Sequence, residues 1–393
     1  MAGIAGWTFW IAVAALAYAY AGFPLLVALA GWVRRRRVRT APVTPSATLV
    51  VAAYNEEAVI AGRLDNALAL DYPPGRLQVL VAADGCTDAT EAIARRYAGR
   101  GVEVLSLPRQ GKIRAIDAAV ARATGEILVF SDANIQCHPQ ALRALARNFA
   151  DPEVGGVAGH VSYRLEEAGE SNGRGESLYW DYDTWLKRLE TATGSIVSAH
   201  GALYAVRRSL YRPVADPAVT DDFAISTAVV EQGYRLVFEP AARGSEYAVA
   251  KAGREFHRRV RLMTRGWRGV LLRRRLLNPA RFGFYAVVLF SHKVLRRLLP
   301  IPLAAMALSS AWLAPAHPLY LAAAAGQAAF YTVAFAGFLL RRSPLGRFKP
   351  IYVPFYYCMA NAACALALLQ LLAGRRIELW QPQRHPAAAP VDR

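Results

Sequence analysis

Residues 7–33 (WTFWIAVAALAYAYAGFPLLVALAGWV) contain no charged side chain, and the next four positions, Arg34, Arg35, Arg36 and Arg37, are all arginine. At 1.5 Å of helical rise per residue, about 20 apolar residues cross the hydrocarbon core of a bilayer, so the run is long enough. Its positive charge follows the apolar stretch and is extended by Arg39, whereas a secretory signal is shorter and carries its charge in front. The run therefore reads as an uncleaved anchor that leaves the following segment on the cytoplasmic side. Trp7 and Trp10 at one end and Trp32 at the other fall where an aromatic belt sits.

Three further uncharged stretches, 298–314, 318–340 and 350–374, are each read as able to span. The segment before them, FGFYAVVLFSHKVLRRLL, has an apolar run too short to cross and then four basic residues, so it is expected to be an interfacial amphipathic helix. The basic loop RRSPLGRFK and the basic tail RRIELWQPQR flank one span, and positive charge cannot place both of its ends in the cytoplasm. The orientation of that last helix stays open. The chain has 393 residues with 47 Lys plus Arg against 29 Asp plus Glu, a net charge of +18, yet 54% of residues are hydrophobic and only 19% charged. That balance excludes disorder and argues against a soluble nucleic-acid binder, because many of the basic residues flank apolar spans. The four cysteines have no metal-ligand spacing and read as packing residues in a reducing compartment.

The expected organisation is an anchor with its basic flank (1–42), an α/β domain (43–260), an interfacial region (261–297), C-terminal membrane helices (298–374) and a polar tail (375–393). Within the α/β domain, apolar runs at 48–53, 78–83, 102–107 and 127–131 lack polar alternation, as expected of strands buried on both faces. Helix-length segments at 56–70 and 88–97 separate them, which predicts a mostly parallel sheet with crossover helices. Ligands in such sheets bind beyond the carboxyl ends of the strands. Polar turns lie there: Tyr54-Asn55-Glu56-Glu57, Asp84-Gly85-Cys86-Thr87-Asp88 and Asp132-Ala133-Asn134. Each alone serves equally well as a turn with a helix cap. Together they match a nucleotide-sugar site, with carboxylates near the base and a hard oxygen ligand for a divalent cation that stabilises a departing diphosphate.

The ordered set VAAYNEE, VAADGCTD, RQGKIRAIDAAV, ILVFSDAN, HGALYAVRR, VTDDFAIS with EQGYRLVFEP, and EFHRRVRLMTRG, running from about residue 49 to 266, resembles the membrane-bound family 2 glycosyltransferases. These are inverting enzymes with a GT-A fold that use nucleotide-diphosphate sugars. The resemblance implies that Tyr54, Glu56 and Asp84 help hold the nucleotide of a UDP-sugar, with Lys112 near its phosphates or ribose. It implies that Asp132 is the first carboxylate of a DxD motif for Mg²⁺ or Mn²⁺, with Asn134 in place of the second. Asp222 matches the catalytic base and Asp221 supports it. Arg258 and Arg261, with Arg259 between them, fall at a diphosphate-binding motif in which Leu262 replaces a tryptophan. A membrane-surface role for the same basic segment has equal standing. His200 and Gly201 match an acceptor-side loop, although a structural histidine is the simpler use of His200. Trp180, in an aromatic cluster with Tyr179, Tyr182 and Trp185, could line an acceptor groove, or more simply belong to the core.

The expected function is transfer of a sugar, with inversion, from a UDP-sugar to a membrane-associated acceptor, either a lipid or a growing polysaccharide. The expected setting is the inner membrane, with the catalytic domain cytoplasmic and no nucleic-acid partner. The alternative is a degenerate, membrane-tethered sugar-nucleotide binding or scaffold protein, supported by Asn134.

Overall fold

The computed structural model describes residues 2–164, 172–247 and 252–378, with side chains described for 3–162, 182–246, 256–346 and 348–378. An apolar N-terminal unit comprises α1 (Ala2–Ala17), a π-helical turn and α2 (Phe23–Val33). The α/β domain then runs through β1 (Ala47–Ala53), α3 (Ile60–Leu68), β2 (Leu77–Asp84), α4 (Thr90–Arg95), β3 (Val102–Leu107), α5 (Lys112–Arg122) and β4 (Ile127–Asp132). It continues with β5 (Gln136–Cys137), α6 (Ala141–Ala146), β6 (Val154–Arg164), α7 (Asn172–Thr193), β7 (Leu203–Arg207), α8 (Asp221–Glu231) and β8 (Arg235–Tyr247).

The strands form one sheet in the order β3-β2-β1-β4-β7-β6-β8-β5. The first four are mutually parallel, β7 runs antiparallel to both β4 and β6, β8 is parallel to β6, and β5 is antiparallel to β8. Every residue of β1 is buried. Alternation along these strands sends Val50, Ala52, Leu80, Leu128 and Phe130 to one face, where Ile113 and Ile116 of α5 pack. Leu49, Val51, Val79, Val81, Ile127 and Val129 go to the other, under Ile60 and Leu64 of α3 and Leu142 and Leu145 of α6. Two apolar faces per strand require covering layers on both sides, which is why these runs read as continuous rather than alternating. The register sets Ala52 beside Asp132 and Ala53 beside Ala83, so the acidic turns leave the sheet from one edge.

The C-terminal helical part begins with α9 (Ala252–Leu272), which runs straight through the boundary expected at residue 260. After it come α10 (Pro279–Phe282), α11 (Phe284–Leu289), a π-helical turn at Phe290–Leu295, α12 (Arg296–Leu298), α13 (Pro300–Leu313), α14 (Pro318–Leu339) and α15 (Lys349–Leu372). Among the described residues, three helices are long and apolar enough to cross a membrane: Gly3–Val33, Pro318–Leu339 and Lys349–Leu372. A fourth candidate is the pair Phe284–Leu298 and Pro300–Leu313, bent by 52°. This differs from the expectation of a separate interfacial helix followed by an independent span at 298–314. α13 has 14 residues and reaches only about 21 Å, short of the ~30 Å core. It works as a continuation of α11 and α12, bent where Pro300 has no amide hydrogen to give the preceding turn.

Both ends of the membrane part are tied to the sheet. Arg36 donates its amide to the Ala192 carbonyl, and the buried Arg235 reaches the carbonyls of Arg36 and Arg37 at 3.1 and 3.2 Å. Beyond α15, Arg376 pairs with Asp216 at 2.9 Å, so the last helix ends against the α/β domain. Residues 379–393 of the expected tail lie outside the described residues.

Candidate active site

The turns after β1 and β2 are stitched together by their own side chains. Asn55 takes a left-handed conformation (φ 53°), its Nδ2 donates to Thr87 Oγ1 at 3.0 Å, and its Oδ1 accepts the Thr87 amide at 2.9 Å. The Glu56 amide donates to Thr90 Oγ1 at 2.7 Å. Asp84, fully buried, accepts the amides of Gln110 at 2.8 Å and Gly111 at 3.0 Å and pairs with Arg109. The Arg109 guanidinium lies over the Tyr54 ring, 3.4 Å from its centre. This packing brings the Arg109 backbone within 2.6 Å of where a Cβ on Gly85 would sit, and Gly85 has φ 65°. Only glycine fits both the close approach and the left-handed backbone.

One residue beyond Gly111, Lys112 starts α5 and points across the strand ends. Its Nζ lies 2.7 Å from Asp132 Oδ1 and 3.0 Å from Asp221 Oδ2. Burial works against its charge, but Asp132 and Asp221 outweigh that and hold the ammonium above the ordinary lysine range. The Asp84 carboxylate, holding the Gln110 and Gly111 amides, and the side chain of Lys112 thus join the ends of β2 and β4 to the start of α8. Asp222 stands next in that helix, and its Oδ1 accepts the Phe223 amide at 2.7 Å. Burial first, then the neighbouring Asp221 charge, lift its carboxyl above the usual aspartate range. Gly201 faces it: a Cβ there would lie 3.6 Å from Asp222 Oδ2. His200 is pushed down to about 3, chiefly by burial and then by Lys187, so it is neutral at physiological pH. The expected residues Asp84, Lys112, Asp132, Asp221, Asp222 and Gly201 therefore meet around one cleft.

Four residues absent from the expected set also build it. Arg109 is one. Glu246, at the end of β8, accepts from Asn134 Nδ2 at 2.7 Å. Arg265 donates from Nε to the Val219 carbonyl at 3.0 Å and from a terminal nitrogen to Pro217 at 3.3 Å, holding the segment that leads into Asp221 and Asp222. Arg268 lies 3.5 Å from Asp216 in that same segment. Arg258, Arg261, Arg265 and Arg268 recur at intervals of three, four and three along α9, so a helical face was the readable signal for the last two. Arg259 turns instead to α15, pairing with Tyr356 with its guanidinium 4.7 Å from that ring. The backbone carbonyl of Glu378 comes within 3.3 Å of a Cβ placed on Gly111, so the chain after α15 borders the cleft. Tyr182 and Trp185 form a tilted ring pair at 5.9 Å, and Trp185 is 46% exposed, so it is not core. The side chains of Tyr179 and Trp180 lie outside the described residues.

A divalent cation fits the end of β4. Glu56 is pushed up to about 8, first by burial and then by the charges of Asp132, Asp88 and Glu246, a surplus of negative charge that a cation relieves. Among the described residues no three His, Cys, Asp or Glu side chains form a metal cage. Magnesium-type sites commonly use one or two protein oxygens and complete the shell with substrate phosphates.

Residues 48–214 match the family model described as glycosyl transferase family 2. The chain is 26% identical over 233 residues to poly-beta-1,6-N-acetyl-D-glucosamine synthase of Staphylococcus aureus, covering 58% of this chain and 55% of that protein. It is 28% identical over 238 residues to beta-monoglucosyldiacylglycerol synthase of Nostoc, covering 58% and 50%. The chain thus spans about half the length of the curated relatives it matches. The mannosyltransferase PcManGT from Pyrobaculum calidifontis, solved with GDP-Man and Mn²⁺, superposes with a TM-score of 0.70 at 25% identity over 94% of this chain and 100% of that one. With a sheet of GT-A form, the acidic strand ends and these relatives in agreement, residues 48–214 form a glycosyltransferase family 2 domain.

Proposed function

We propose that the protein transfers a sugar, with inversion, from a nucleoside-diphosphate sugar to an acceptor held at a membrane, and that its donor is a UDP-sugar. The observation that carries this reading is the position of Asp222. It is a half-buried carboxylate beside an acceptor-side glycine, next to the Asp221 that shares Lys112 with Asp132. In a single displacement, the acceptor oxygen bonds to the anomeric carbon as the bond to the diphosphate breaks. Asp222 takes the acceptor proton from the face opposite the leaving group, and its raised affinity for protons suits that task. Lys112, with Arg258 and Arg261 from α9, meets the charge that develops on the departing diphosphate. Asp84 and Tyr54 face the nucleotide, which displaces Arg109 from the slot between them. Asp132 and Asn134 would hold Mg²⁺ or Mn²⁺. When bound, such an ion neutralises diphosphate charge.

The acceptors of the two named relatives, a polysaccharide and a glycolipid, support a membrane-associated acceptor here. The cationic flank after α2 supports a cytoplasmic catalytic domain at the inner membrane. The test is nucleotide release by the purified full chain across UDP- and GDP-linked sugars, since the structural neighbour was solved with GDP-Man. Release from a UDP-sugar that is lost in Asp222→Asn supports the reading. Turnover of GDP-sugars only overturns the UDP assignment. Nucleotide binding without turnover of any donor favours the scaffold alternative.

A further inference from the structure

The loop that carries Gly201 against Asp222 has no helix or strand of its own between Thr193 and Leu203, so its buried backbone groups rely on other elements for partners. Val197, in its middle, is 1% exposed, and side chains grip both of its backbone polar groups. Its amide donates to Glu190 Oε2 of α7 at 3.0 Å, and its carbonyl accepts from the Tyr285 hydroxyl of α11 at 2.8 Å. Glu190 is fully buried, and its other oxygen lies 2.6 Å from Nδ1 of His292 in the π-helical turn at Phe290–Leu295. The far side of that imidazole lies 3.5 Å from Asp183, which Lys187 already holds at 2.7 Å. Tyr285 and His292 thus reach one loop residue from one bent helix pair, the first directly and the second through Glu190. Two residues after Val197, the Ala199 amide donates to the buried Ser226 Oγ at 3.1 Å, one turn beyond Asp222 in α8. The loop is therefore fastened at one point to the helix that carries Asp222 and at another to a membrane-span candidate. A π-helical turn changes the direction in which side chains leave a helix, and such turns are frequent at functional positions.

We propose that Tyr285 and His292 are positioning residues: through the two backbone groups of Val197 they hold the His200–Gly201 loop at the distance from Asp222 that an acceptor oxygen requires. The proposal rests on the transferase reading above, in which Asp222 is the base and Gly201 lies on the acceptor side. Both residues act through the loop and not on the reacting atoms. Because both come from the bent pair Phe284–Leu298 and Pro300–Leu313, that pair sets the geometry of the acceptor side. The donor side, built on Asp84 and Lys112, is held by separate contacts.

The test uses the full chain in nanodiscs of phosphatidylethanolamine and phosphatidylglycerol doped with diacylglycerol, supplied with UDP-glucose, UDP-N-acetylglucosamine or GDP-mannose. Tyr285→Phe removes one hydroxyl, and His292→Leu removes the partner of Glu190, whereas His292→Asn keeps a donor where Nδ1 stood. The first two are expected to lower kcat for nucleotide release about tenfold with donor affinity within about twofold, and His292→Asn to stay within about threefold of the native kcat. Amide exchange over residues 195–202, read by mass spectrometry without donor, is expected to rise about tenfold in the first two and not in His292→Asn. Should His292→Leu fail to fold, Tyr285→Phe carries the same comparison. Native kcat or native exchange in Tyr285→Phe overturns the proposal, as does a loss shared equally between kcat and donor affinity. Absence of nucleotide release with every donor in the unaltered chain removes the transferase reading, while exchange over 195–202 still judges the hold on the loop.

Discussion

The cleft and a cavity among the C-terminal helices are both built around cations, and they differ in what holds them. In the cleft, Lys112 has two carboxylates within 3.0 Å, and Asp84 is met by Arg109 and by two backbone amides. These cations are paired before any ligand arrives, with acid in surplus, so under the proposed function a donor would enter by exchanging partners: its phosphates would take Lys112 and its base the place of Arg109. In the cavity between α9, the π-helical turn and α15, Arg259, Lys293, Arg296 and Arg297 gather, and Arg296 and Arg297 lie over the rings of Tyr182 and Trp267 at 5.4 and 5.7 Å. There aromatic faces meet the guanidinium groups. The difference separates a site whose cations are fixed by ion pairs from one whose cations lie against aromatic rings.

The strongest way to break this contrast is through Asp222, which belongs to neither set. Asp222→Asn should lower transfer by about 10³-fold, with donor affinity within about twofold, because the base acts on the acceptor. A coupled assay of turnover beside a nucleotide titration decides it, and near-native turnover would remove Asp222 from the chemistry. Lys112→Met tests how far the cleft depends on this pairing. It strands Asp132 and Asp221 as adjacent, uncompensated carboxylates, a loss of about 3 kcal/mol of stability. A lower thermal midpoint in detergent and a donor affinity weakened by about tenfold are expected. An unchanged midpoint would mean the pairing contributes little.

Arg265→Lys keeps the charge but loses the fork that grips the Val219 and Pro217 carbonyls. It should reduce kcat by about tenfold and leave donor affinity intact, since it positions the approach to Asp222 rather than touching the donor. An equal loss in donor affinity would place Arg265 in donor binding instead. The smallest effect is a shift in pH dependence. Asp222 is raised by burial and by the negative charge of Asp221, so removing that charge in Asp221→Asn lowers its proton affinity. The acid limb of the rate profile should move down by roughly half to one pH unit. A limb that moves upward would show that the lost link to Lys112 outweighs the lost repulsion.

Asp84 and Asp132 were legible because each ends a strand whose apolar pattern is local, whereas Lys112 and Asp222 were reached only through the family resemblance. Arg109 was not, although it lies only three residues before Lys112, because nothing in PRQGK indicates that a guanidinium will fold back onto Tyr54 and Asp84. Arg265 and Arg268 could have been found from their helical spacing with Arg258 and Arg261. Glu246 could not, since its partner Asn134 stands more than a hundred positions earlier in the chain. The interfacial segment and the span after it read as separate helices because hydropathy measures an uninterrupted run. The structure instead continues one helix into the next through a bend at Pro300.

The amino-acid order alone determined the strands buried on both faces, the acidic turns at one sheet edge and the apolar segments with their basic flanks. Each depends on side-chain period and length over a few consecutive residues. Only the tertiary structure decided that Lys112 shares itself between Asp132 and Asp221, that the chain after α15 returns to the cleft, and that Arg259, Lys293, Arg296 and Arg297 gather around one cavity. These are contacts between segments distant in the chain, set by how whole layers pack, and no local period encodes the partner.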